Sequence, residues 1–221
     1  MTIEIGLLIL ESILLTATVI LLLYSIREGK ERKGLLVELG RTTKILTRQE
    51  YFLNVIDSMM DANEEIIGCI TGRLPAGDDK KRTKDVIDAI RKLSEKGVRI
   101  KYLMPKFPDR LHIGYLYHKA GAEVGYSSCS MVHNIRFIVV DDRLVVIGIP
   151  ESIGEKEATK KGYRIPSEGL AIILKEHFDK CERQISYADY VKEVLAQTGA
   201  TPALLAQELQ IDVKELEKYI T

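Results

Sequence analysis

The run from Ile5 to Ile26 (IGLLILESILLTATVILLLYSI) constrains this chain more than any other segment, because it is predominantly apolar and holds a single charged side chain, Glu11. At 1.5 Å per residue, about 22 helical residues cover roughly 33 Å, enough to cross the hydrocarbon core of a bilayer. The expectation is one membrane-spanning helix. A cleaved signal peptide would want a basic stretch before the run and small residues at a cleavage site after it. The run is instead preceded by Met1-Thr2-Ile3-Glu4 and followed by Arg27, Lys30, Arg32 and Lys33. That bias in positive charge predicts a single-pass protein, anchored through residues 5–26, whose long C-terminal part faces the cytoplasm. An unpaired carboxylate deep in the span costs a few kcal/mol, on the order of 3, so Glu11 is expected to be protonated, paired or near the interface.

Beyond the anchor the chain reads as an ordinary globular protein: 32 basic and 32 acidic side chains among 221 residues name no partner. Cys69, Cys129 and Cys181 are an odd number at wide spacing, which predicts buried or free thiols in a reducing compartment rather than a disulfide framework. No metal-ligand spacing and no cofactor motif stands out; His112 and His118 are six apart on one expected helix and do not face each other.

Residues 27–48 read as a juxtamembrane stalk, weakened as a helix by Gly29, Gly34 and Gly40. From residue 49 to 187 helical and strand patterns alternate. Glu50 to Asn63 puts Phe52, Val55, Ile56, Met59 and Met60 on one helical face, and Glu65 to Thr71 reads as a buried strand. A helix over Thr83 to Glu95, a strand over Val98 to Met104, a helix over Asp109 to Ala120 and a strand over Ala122 to Tyr126 follow. Asn134 to Val140 and Leu144 to Ile149 are β-branched runs flanking Asp141-Asp142-Arg143, the pattern of a hairpin. After a charged loop, Glu168 to Leu174 reads as a last strand and Lys175 to Ile185 as a helix. The fold class is therefore α/β, a mixed β-sheet flanked by helices, with a transmembrane helix before it. Residues 188–221 form a helix-turn-helix-like tail, with Thr201-Pro202 and Asp212 as helix starts.

Residues 50 to about 187 resemble one half of a phospholipase D superfamily fold. The likeness is carried by EYFLNVIDSMMDANEEIIGCIT, EKGVRIKYLM, HKAGAEVGY, VHNIRFIVVDDRLVVIGIPE and SEGLAIILKEHFDKC. That family's motif is His-x-Lys-x4-Asp, followed after a hairpin by Gly-Ser-x-Asn or Glu. Its imidazole attacks phosphorus, its cation neutralises the non-bridging oxygens and its carboxylate tunes a histidine. Aligning the acidic residue on Asp141 puts Asn134 in the histidine position, Arg136 in the lysine position, and Gly148 and Glu151 over the second motif. An amide cannot act as the nucleophile, so the resemblance implies a degenerate site in which Asn134, Arg136, Gly148 and Glu151 hold an anion. His133, one residue earlier, is the alternative nucleophile, with Asp141 as its partner, if a bulge brings it into line. In a regular strand Asn134 and Arg136 share a face that His133 does not.

Two readings from different classes follow. One is a ligand-sensing or protein-docking regulatory module, a homodimer as the resemblance implies for single-motif chains, whose ligand is an anion such as phosphate, a lipid headgroup or nucleic acid. The other is a membrane-tethered phosphodiesterase, either nuclease or phospholipase. A membrane-bound transcription regulator is the third reading. It rests on the tail, where Lys192, Lys214 and Lys218 face six carboxylates and no basic stripe is left for phosphate contacts, so 188–221 suits a protein partner better. The clusters Lys80 to Lys84 and Lys156 to Arg164 adjoin acidic residues and read as solvated loops.

Overall fold

The computed structural model describes residues 13–26, 43–74, 79–150, 159–181 and 184–220. The chain divides into a unit over Met1–Thr43 and a compact unit over Lys44–Thr221. In the first, residues 13–26 form a helix (α1) whose side chains are all exposed. Among the described residues no helix is long and apolar enough to cross a membrane. Glu11, the rest of the expected span before residue 13 and most of the stalk lie outside the described residues.

The second unit is built on an eight-stranded sheet. In chain order its elements are β1 (Lys44–Leu46), α2 (Arg48–Met60), β2 (Glu65–Cys69), α3 (Asp79–Glu95), β3 (Arg99–Pro105), α4 (Leu111–Lys119), β4 (Glu123–Ser127), α5 (Ser130–Asn134), β5 (Arg136–Val140), β6 (Leu144–Pro150), β7 (Thr159–Pro166), α6 (Glu168–Asp179), β8 (Ile185–Ser186), α7 (Tyr187–Thr198), α8 (Pro202–Leu209) and α9 (Val213–Glu217). The strand order is β1-β7-β6-β5-β2-β3-β4-β8. The central β2, β3 and β4 are parallel, and every other pairing is antiparallel. This is the expected mixed sheet flanked by helices.

Alternation along the strands sends side chains to two cores. On one face Ile66, Tyr102, Tyr126, Ile138 and Val146 pack with α2, α3, α4 and the helices after Ser186. On the other, Ile67, Leu103, Phe137, Val139 and Val145 pack beneath Val132 of α5 and Ala171, Leu174 and Phe178 of α6. Capping fixes the helix starts. Thr47 and Glu50 form a reciprocal capping box that begins α2 at Arg48, and Thr201 with Pro202 begins α8.

Four expectations are corrected. Glu168 to Leu174 is not a strand, because Ser167 Oγ accepts from Leu170 N–H and starts a helix that buries Ala171, Leu174 and Phe178 at helical spacing. The helix expected over Lys175 to Ile185 is the second half of α6; it stops at Asp179, and Ile185 joins the sheet as β8. The charged loop after Pro150 holds β7, and the stalk holds β1; the two strands pair with each other and close one edge of the sheet. Finally, the strand expected from Asn134 begins at Arg136, because residues 130–134 make the single helical turn α5.

The thiols are corrected as well. Cys129 and Cys181 are joined in a disulfide with Cα atoms 6.1 Å apart, across a separation of 52 residues. Cys69 stays a free, fully buried thiol, and burial pushes its pKa up to about 12, so it is inert as a nucleophile at neutral pH. The helices after Ser186 belong to the first core: Tyr187, Val191, Leu205 and Leu216 are buried in it, and His112 Nδ1 of α4 meets the Leu209 carbonyl.

Candidate functional site

In open α/β sheets ligands bind beyond the carboxyl ends of the parallel strands. Here that edge is formed by the ends of β2, β3 and β4. Strand β5 runs against β2 with Phe137 opposite Cys69, so its first residue, Arg136, starts at the same edge. Arg136 lies opposite Gly148 of β6, and Gly148 opposite Gly162 of β7. Alternation puts Arg136 on the face of Ile138 and Val140, beneath α2. Tyr51 of α2 is buried over this row, and its ring fits because Gly162 has no side chain: a Cβ there would stand 2.5 Å from Tyr51 Cδ2. Burial raises the Tyr51 phenol to about 12, against the opposing field of the Arg136 guanidinium. Tyr51 is thus a neutral lid, and Arg136 supplies the charge of this corner.

His133 and Asn134 do not join that corner. Both sit on α5, so the strand alternation that governs Arg136 does not extend to them. The His133 ring packs edge-on against Phe107, with centroids 5.5 Å apart. The Asn134 amide donates to Ser130 Oγ at 2.8 Å, one turn back. Helix α5 therefore replaces the strand geometry on which the pairing of Asn134 with Arg136 depended.

Asp141 lies at the opposite edge of the sheet, five residues and roughly 17 Å along the strand from Arg136. With Asp142 it takes positive φ, 48° and 51°, in the turn that joins β5 to β6. Its carboxylate accepts three backbone N–H groups, from Asn63 and Glu64 at 2.9 Å and from Glu65 at 3.1 Å. Burial works to raise its pKa, but these donors together with Arg143 outweigh it and hold the carboxyl below its usual range. Lys175 bridges the same end, 2.7 Å from Glu65 and 2.9 Å from Asp142. Asp141 closes the chain here and orients no histidine. Gly148 is in place beside Arg136, and Glu151 lies outside the described residues.

On the α6 face of the same edge an open cleft of about 780 Å³ runs between α5 and the end of α6. Met131, Ile135 and Leu174 form its apolar wall, and Ser128, Ser130 and Asn134 line it with polar atoms. His177, Lys180 and the Cys129–Cys181 disulfide complete it. The sequence carried no direct signal for this cleft, since its two walls are far apart along the chain and no helix was expected over residues 130–134. Among the described residues no group of three or more histidines, cysteines or carboxylates is placed to hold a metal ion.

No family model matches the sequence, and no curated protein matches it. Solved structures do match the fold. The chain is similar to Nuc from Salmonella typhimurium, described as a phospholipase D family member, at 15% identity and a TM-score of 0.50, covering 66% of this chain and 96% of that one. It is equally similar to NucT from Helicobacter pylori, at 14% identity and a TM-score of 0.50, covering 66% of this chain and 98% of that one. A weaker match, with a TM-score of 0.46 and 16% identity, is the archaeal chromatin protein TrmBL2; it covers 71% of this chain, which spans only 62% of that protein's length. At these identities the likeness is one of fold, and the fold is phospholipase D-like.

Proposed function

We propose that this chain is a membrane-tethered, non-hydrolytic phospholipase D-like module that binds an anion at Arg136 and works in pairs of chains as a sensing or docking unit. The observation that carries the reading is α5. It leaves an amide, Asn134, in the place of the nucleophile and ties it to Ser130, while the nearby imidazole of His133 rests on Phe107. What stays at the sheet edge is a guanidinium beside two glycines, a planar fork suited to phosphate or carboxylate. The anchor at residues 5–26 and its flanking bases support a cytoplasmic orientation, and a tether raises the local concentration of chains that pair.

The test uses the full chain reconstituted in lipid nanodiscs. Calorimetry with inorganic phosphate should show binding that Arg136→Ala weakens about tenfold or more, the worth of one charge-assisted hydrogen bond. A chromogenic phosphodiester should not be turned over. Turnover that His133→Ala abolishes would overturn the proposal in favour of the phosphodiesterase, and binding that ignores Arg136→Ala would remove the site.

A further inference from the structure

The cleft between α5 and α6 is a second feature of the same sheet edge, and Arg136 does not line it. At the end of α6 it is lined by Lys180 and His177, three apart in the chain, and among the described residues no carboxylate lines it. Lys180 does pair with Glu176 at 3.0 Å, but both side chains are largely exposed, at 73% and 61%. Such an i, i+4 pair is worth only a few tenths of a kcal/mol, about 0.3–0.5, and yields readily to a better-placed anion. The facing wall is apolar, and Ile135 in it is 38% exposed, a large hydrophobic side chain left at the surface beside a cavity. A volume of about 780 Å³ is far more than a bare inorganic anion fills and sits within the usual range for small-molecule sites.

From this arrangement we infer that the cleft binds a small amphiphilic anion, an acidic headgroup on a short apolar body. Lys180 and His177 hold the headgroup by charge-assisted hydrogen bonds. The body lies on Met131, Ile135 and Leu174 and covers the Cys129–Cys181 disulfide at the end of the cleft. Ser128 and Ser130 offer hydroxyls, and the Asn134 amide, whose N–H is already given to Ser130, offers its oxygen to any donor on the ligand. The inference is independent of the anion corner at Arg136.

The disulfide gives a readout confined to this site. In the full chain in nanodiscs, Cys129 and Cys181 are labelled with a thiol reagent during mild reduction. Fully buried Cys69 serves as an internal report of unfolding. Hexyl phosphate and hexanoate, at about four times their dissociation constants, should slow labelling roughly fivefold. Hexanol and inorganic phosphate at the same concentrations should not. Lys180→Gln and His177→Gln should each shift the protecting concentration upward, about tenfold for Lys180, with Cys69 still unlabelled. Arg136→Ala should leave protection intact. Nanodiscs of phosphatidylcholine with and without phosphatidic acid separate the two sources: protection without added solute in the acidic discs assigns the headgroup to a membrane lipid, and its absence there to a free solute. No protection by either anion, equal protection by hexanol, or protection indifferent to Lys180→Gln would each overturn the inference.

Discussion

The two ends of strand β5 make opposite use of polar side chains. At the hairpin end the Asp141 carboxylate is consumed by three backbone N–H groups, and Lys175 is shared between Glu65 and Asp142. At the other end Arg136 faces a row of glycines, and Asn134 reaches no further than the first turn of its own helix. A motif that reads as one catalytic unit in sequence is thus split in space. One part fastens the hairpin turn, and the other lies at the far edge of the sheet, where β5 meets α5. The lesson is that an acidic residue which matches a family's motif in sequence can serve a turn, far from the residues at the motif's other end.

The contrast breaks if the hairpin end tolerates change. Asp141→Ala should cost the most, about 3 kcal/mol, because hydrogen bonds to an ionised acceptor are lost together and N–H donors are left at the start of β2. For a chain of this size that lowers the melting temperature by roughly 6–12 °C, measured by calorimetry, with phosphate binding unchanged in the surviving folded fraction. A smaller signature appears in acid. The folded-state pKa of Asp141 is depressed, so its contribution is complete above the unfolded carboxyl value of about 3.9 and is lost as pH falls through the lower folded value. Denaturant titrations from pH 6 to 2 should therefore show a steeper decline in the wild-type chain than in Asp141→Asn, whose remaining decline comes from other carboxylates such as Glu50 and Glu215. The smallest effect is expected at the open end. Asn134→Ala should change stability by less than about 0.5 kcal/mol, since it removes one exposed side-chain hydrogen bond. A larger loss would mean that α5 is fastened as firmly as the hairpin.

Where local chemistry decides an element, the sequence was readable. Thr201-Pro202 marks the start of α8, and Asp141-Asp142 make the hairpin turn. Strand β2 announces itself as a short apolar run because both its faces are covered, with Ile66 in one core and Ile67 and Cys69 in the other. Elements fixed by distant partners stayed hidden. Strand β7 carries lysines and an arginine in a stretch that looks like a loop, and it is held by pairing with β6 and β1. Helix α6 contains Ile172 and Ile173, a β-branched pair suggesting a strand, yet both are more than half exposed while Ala171, Leu174 and Phe178 are buried. In the site, the hairpin register sets Arg136 opposite Gly148. His133 and Asn134 lie on α5 and not on a strand, because one turn of helix has no signature distinct from the strand it precedes.

The Cys129–Cys181 bond also sets a boundary within the sheet. The loop it closes contains β5, β6, β7 and α6, and none of the parallel strands β2, β3 and β4. In the chain-entropy view, closing a loop of this length removes about 4 kcal/mol of freedom from the unfolded chain. All of that restriction falls on the antiparallel half, whose strands are already near neighbours in sequence. The parallel half keeps its long crossovers and the slow search they entail. Oxidised, the molecule has one half of its sheet pre-gathered, and the other is left to assemble against it.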